Sequence, residues 1–192
     1  MKINSRHVAI LALLIVISIG FGFAFDAIAT AVDRHNYPIV ESLTESVKQE
    51  SEKHGINEPI LWAVLHTASD FTSNAVSADG RIGLMQLSPE VFSFICTEIW
   101  EGEAKDTGML YDPTTNLSAG CAYLAYLYGY YGVWDHAHAA YFAGVERVDE
   151  WLSSPENLTE QGVLESIPDQ ETAAYVERVS RAAEHYSQLY YA

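Results

Sequence analysis

Side chains able to do acid, base or binding work gather around one stretch, Leu61 to Leu87, reading LWAVLHTASDFTSNAVSADGRIGLMQL. Its first half sets Leu61, Val64, Leu65 and Ala68 at the spacing of one helical face. Its second half, with Asp79-Gly80 and Gly83, cannot continue that helix cheaply. A buried helix running into a polar, glycine-bearing loop is how a cleft wall is made. The carboxylates within reach are Asp70 and Asp79, and Asp70 stands about 200° round the helix from Ala68, facing elsewhere. Other chemistries find little support. His136 and His138, two apart on a helix, diverge, and none of the seven histidines has zinc spacing, so no metal is assigned. No serine or cysteine nucleophile signature is present, and no cofactor is implied. Tyrosines at 123, 126, 128, 130 and 131 suit either half-buried packing or a platform for sugar rings.

The elements that must hold this stretch are all helical. Val40, Leu43 and Val47 predict an amphipathic helix closed by Gly55. Asn57 and Pro59 start a second helix running from Glu58 to Ser69 or Asp70. Ser88-Pro89 starts a third, with Val91, Phe92, Ile95 and Ile99 inward, ending near Trp100. After a polar loop, a long helix spans Asn116 to Tyr130 with Leu117, Cys121, Leu124 and Tyr128 on one face, ended by Gly132. Helices from Trp134 to Phe142 and from Val145 to Leu152 are separated at Ala143-Gly144. A terminal helix from Glu171 to Tyr190 sets Val176, Val179, Ala183, Tyr186 and Tyr190 at core spacing. No strand pattern appears, so the fold class is all-α, with long polar connections that could border a groove.

The 192 residues supply one compact domain. Val8 to Phe25 is an 18-residue run without charge behind Lys2, Arg6 and His7, the polarity of an export signal or an inside-anchored membrane helix. The organisation expected is a signal peptide or membrane anchor over 1–32, a linker over 33–38 in which Pro38 keeps Tyr37 out of helix, and the main domain over 39–192. The location expected is extracytoplasmic, secreted or membrane-anchored. Ten basic residues against 26 acidic ones give −16; without Lys2, Arg6 and Asp26 the remainder carries −17. With no basic cluster, nucleic acid is excluded as a partner. A neutral glycan would have to be held by hydrogen bonds and stacking. Cys96 and Cys121 fall on separate predicted helices, open either to a disulfide or to two buried thiols.

Four stations then occur in one order: Asn74 to Ser77 with Gly83-Leu84-Met85-Gln86; Asp112, Pro113, Asn116, Ala119 and Gly120; Ala139-Ala140-Tyr141-Phe142-Ala143-Gly144; and Pro168, Glu171, Thr172, Tyr175 and Val176. Together they make the chain, from roughly Tyr37 to Tyr190, resemble the lytic transglycosylases of the lysozyme-like superfamily. That resemblance implies a helical domain with a substrate groove. It also implies cleavage of peptidoglycan between N-acetylmuramic acid and N-acetylglucosamine without water, forming an anhydro ring. A single carboxyl protonates the leaving oxygen and then takes a proton from the sugar's own hydroxyl, unlike the two-carboxylate scheme of ordinary glycosidases.

Ala68 stands where that family has its catalytic glutamate. The resemblance implies substrate contacts at Ser77, Gln86, Tyr141, Glu171 and Tyr175. Each also has a plainer role: turn bonding for Ser77 and Gln86, packing for Tyr141 and Tyr175, and a favourable charge at a helix start for Glu171. Phe142 replaces the asparagine of the family's Tyr-Asn-Ala-Gly box, losing an amide's donors and acceptors, and Ser88 stands where methionine is common. The expectation is a catalytically silent relative, a pseudoenzyme that binds peptidoglycan strands. Its alternatives are an active lytic transglycosylase, through an introduced alanine or a substitute carboxylate, and an envelope protein-interaction domain without glycan affinity.

Overall fold

The computed structural model describes residues 5–192, apart from the side chains at 5–13, 15, 16, 19 and 26. The flank at Lys2, and the side chains of Arg6 and His7, lie outside the described residues. The chain divides into two units, 1–38 and 39–192. The first contains one helix, α1 (Ser5–Asn36). It runs through four residues expected as linker and stops at Tyr37, where Pro38 disfavours helical backbone in the residue before it. Among the described residues no helix is long and apolar enough to cross a membrane.

The second unit is built from α2 (Glu41–His54), α3 (Glu58–Ser69), α4 (Pro89–Phe94), α5 (Pro113–Tyr131), α6 (Trp134–Ala143), α7 (Val145–Leu152) and α8 (Gln170–Tyr190). Gly55 and Gly132 end α2 and α5 in left-handed backbone, the expected stops. Ser88 caps α4 by accepting from the Val91 amide, and Asp112 caps α5 by accepting from the Thr115 amide. Past α4 the backbone continues as one π-helical turn, Ile95–Ile99, which no spacing foretold. Among the described residues extended pairing is limited to isolated bridges, such as Val76 with Ile82 and Ile82 with Leu87.

The core lies around α5 and α3. Asn116, Leu117 and the run Ala119 to Leu124 are all buried, so the middle of α5 is enclosed on every side rather than amphipathic. Tyr128, expected inward with Leu124, is instead 38% exposed and stacks on Trp134 at 4.0 Å. The enclosed stretch runs from Asn116 to Leu124, and the tyrosine-rich end of α5 emerges. In α3, Leu61 to Leu65 are fully buried, and α8 packs along that helix. The hydroxyl of Tyr186 on α8 lies 3.4 Å from His66 Nδ1, and Trp62 Nε1 donates to Tyr191 at 3.0 Å. On α8, Val176, Val179 and Tyr186 are buried as expected, and Ala182 is buried while Ala183 is half-buried. Cys96 and Cys121 are both buried and both free thiols.

Candidate functional site

A single cleft collects the residues singled out in the sequence. Its lining includes Ala68, Ser77, Gln86, Tyr141, Glu171 and Tyr175, and its volume is about 370 Å³. That is within the range of small-ligand sites, about 300–1,000 Å³. Three parts of the chain build it: the end of α3, the loop from 71 to 87, and the facing surfaces of α6 and α8.

The end of α3 is abrupt. Asp70 and Phe71 both take left-handed backbone, φ 47° and 60°, so Ala68, half-buried, occupies the last turn. Ser69 locks that turn to the loop by donating to the Leu84 carbonyl at 2.7 Å. Asp70 points to solvent, with its side chain 81% exposed and 3.7 Å from His66 Nε2.

The loop is held from beneath by Asn116 of α5. This side chain is fully buried, accepts from the Met85 amide at 2.8 Å, and donates to the Ile82 and Leu110 carbonyls at 2.8 and 2.9 Å. Gly83, at φ 83°, lets the chain pass over it: a Cβ there would fall on the Asn116 side chain and 2.7 Å from the Leu110 carbonyl oxygen. Gly120 does the same one helical turn on, where a Cβ would overlap the Met85 side chain. The sequence named Asn116 and Gly120 as motif members without assigning this work. What they do is position the loop.

The candidate side chains prove to be bonded in different ways. Ser77 closes its own turn, donating to Asp79 Oδ1 at 2.5 Å and accepting from the Arg81 amide at 2.9 Å. Gln86, at φ 52°, turns its amide nitrogen back onto the Ala75 and Gly83 carbonyls at 3.2 and 2.9 Å. Tyr141 is nearly buried and donates to the Met85 carbonyl at 2.8 Å; burial pushes its phenol well above the usual range. Tyr175 is 4% exposed and stacks on Phe142 at 4.7 Å, yet its buried hydroxyl has no hydrogen-bond partner among the described residues. Burial raises its phenol too. Glu171 is exposed in the first turn of α8, beyond the Asp169 cap.

Arginine was not foreseen here. Arg81 and Arg178 both line the cleft. Arg81 reaches Asp79 Oδ2 through Nε at 2.9 Å and the Phe142 carbonyl through Nη2 at 2.6 Å. The hydrogen bond from Ser77, and then Arg81, holds the Asp79 carboxyl below its ordinary value. Such a group is ionised at neutral pH and accepts protons rather than supplying them. The cleft thus offers hydrogen-bond donors, aromatic faces and two cations, with a methyl group at position 68. Among the described residues no three His, Cys, Asp or Glu side chains are grouped to hold a metal ion.

The chain is 32% identical over 126 residues to the soluble lytic murein transglycosylase of Salmonella typhimurium, covering 65% of this chain and 20% of that protein. It is 34% identical over 86 residues to membrane-bound lytic murein transglycosylase C of Haemophilus influenzae, covering 44% of this chain and 24% of that one. The chain thus spans about a fifth to a quarter of the length of these curated relatives. Among solved structures it is similar to the 70-kDa soluble lytic transglycosylase in complex with bulgecin A, with a TM-score of 0.72 and 26% identity over 83% of this chain and 26% of that chain. The family model described as the Transglycosylase SLT domain matches residues 45–163, from within α2 to the loop before α8. Over half of the chain lies inside that match, and it carries the cleft from Ala68 to Tyr141: this protein belongs to the SLT transglycosylase domain family.

Proposed function

We propose that the protein is a cell-envelope member of this family that binds the glycan strands of peptidoglycan, MurNAc-GlcNAc repeats, and cleaves them very slowly or not at all. One observation carries the reading: the cleft gathers Ser77, Gln86, Tyr141, Glu171 and Tyr175 around a methyl group at Ala68. Neither carboxylate of that lining suits the part of a general acid. Asp79 is held ionised by Ser77 and Arg81, and Glu171 stands exposed at the start of α8. Glu171 and Arg178 bring exposed polar groups to that lining, able to meet sugar hydroxyls.

The relatives' names, soluble and membrane-bound murein transglycosylases, support the substrate and the envelope location. The 18-residue uncharged run behind Lys2 and Arg6 supports export of the 39–192 unit, with 1–32 serving as signal or anchor. An uncleaved leader would keep the protein at the membrane.

The test is incubation of the 39–192 unit and its Ala68→Glu variant with purified peptidoglycan, followed by chromatography for anhydro-muropeptides. The variant is expected to gain about 10²- to 10⁴-fold in turnover, the usual contribution of a general acid. Equal release by the two forms would sink the silent reading. Co-sedimentation with insoluble peptidoglycan then separates a glycan binder, which pellets, from a protein-interaction domain, which stays in solution.

A further inference from the structure

We propose that the contact between Arg81 and Phe142 crosses the cleft and limits its ligand to a short stretch of glycan, making these two residues determinants of length specificity; the inference rests on the glycan-binding reading above. Arg81 leaves the loop just after Gly80, and its guanidinium carbon lies 5.1 Å from the centroid of the Phe142 ring. Its Nη2 donates to the carbonyl oxygen of Phe142 at 2.6 Å, joining segments 61 residues apart in the chain. Asp79 holds the other side of the guanidinium at 2.9 Å, and Ser77 in turn holds Asp79. On the α8 side, Phe142 stacks on Tyr175. The loop, the end of α6 and α8 are thereby tied together by one row of side chains.

That row stands between two compartments. Arg81 and Phe142 line the space that contains Ala68, and they also line a neighbouring one of about 200 Å³ bordered by Leu87, Val91 and Tyr123. The second compartment in turn shares Tyr123, Ala143 and Gly144 with an aromatic recess containing Phe94 and Tyr126. A strand running from Ala68 to that recess would have to displace a charge-assisted hydrogen bond and a cation–π contact together. A ligand of about two or three sugars fits the first compartment without doing so.

Titration calorimetry of the full chain with N-acetylglucosamine oligomers of two to six sugars tests this. The wild-type affinity should level off after the trimer. Arg81→Ala should gain with each further sugar, to about tenfold or more at the hexamer, equivalent to about 1.4 kcal/mol. Arg81→Lys, which keeps the charge but not the flat stack, should fall between. A wild-type affinity climbing with length in parallel with Arg81→Ala overturns the proposal. Should Arg81→Ala fail to fold, Phe142→Leu removes the ring while leaving the backbone acceptor, and the same length series applies, an unchanged plateau being the overturning result. Binding without a length difference overturns the crossing alone, whereas no binding at any length by any form overturns the glycan reading and this proposal with it.

Discussion

The seam between α5 and the glycine-bearing loop and the seam between α6 and α8 both bury polar side chains, and they treat them oppositely. Under the loop, Asn116 is wholly buried and makes three hydrogen bonds. Between α6 and α8 the Tyr175 hydroxyl, and elsewhere on α6 both ring nitrogens of His138, are buried with no partner among the described residues. His138 shares one face of α6 with Trp134, on which it stacks, and with Phe142, which meets Tyr175. A net protein hydrogen bond contributes about 1 kcal/mol, while an unsatisfied buried group costs about 1–3 kcal/mol. The first seam is therefore frame, and the second is where stability is given up beside the cleft.

Four substitutions or conditions can break or sharpen that contrast. The largest effect is expected from Asn116→Ala, which strands the Met85 amide and the Leu110 carbonyl in a buried site, leaves the Ile82 carbonyl only its bond from the Leu87 amide, and should destabilise the fold by about 3–5 kcal/mol in urea denaturation. A loss under 1 kcal/mol would erase the distinction between the seams. Next comes acid. Burial lowers His138 from 6.5 to about 4, so between those values the unfolded chain binds the proton and the folded one does not. Stability should therefore fall by about 3 kcal/mol as pH drops through that window, and His138→Leu should flatten the profile of Tm against pH.

Gly120→Ala tests close packing rather than bonding. Its methyl group must displace Met85, and overpacking of this kind costs about 1–3 kcal/mol, readable as a lower Tm with the peptidoglycan-bound fraction falling alongside. The smallest effect has the opposite sign. Tyr175→Phe removes only a buried, unbonded hydroxyl and should leave stability unchanged or raise it by about 1 kcal/mol. Destabilisation by this change would mean that the hydroxyl is part of the frame after all.

Much of the frame could be read from the sequence because its causes are local. Pro59 in the first turn of α3, whose Asn57 makes no side-chain cap bond, the stops at Gly55 and Gly132, and the break at Ala143-Gly144 fix helix ends through backbone chemistry within a few residues. The candidates drawn from the four stations, Ser77, Gln86, Tyr141, Glu171 and Tyr175, come to line one cleft. What was not legible depends on partners far along the chain. Nothing near Arg81 announces the Phe142 carbonyl, and the three acceptors and donors of Asn116 lie on segments brought together only by folding. The exposure of Tyr128 follows from where α5 leaves the core, which helical periodicity does not encode.

The abrupt left-handed stop of α3 at Asp70 and Phe71 has a consequence for evolution as well as for geometry. Position 68 sits in the last helical turn, where the aligned peptide dipoles present about half a negative charge. A carboxyl placed there would be discouraged from ionising by the backbone itself. Since the loop and α5 hold the cleft through Ser69, Gly83, Asn116 and Gly120 and not through residue 68, one substitution there could introduce a carboxyl while the scaffold that would keep it protonated persists.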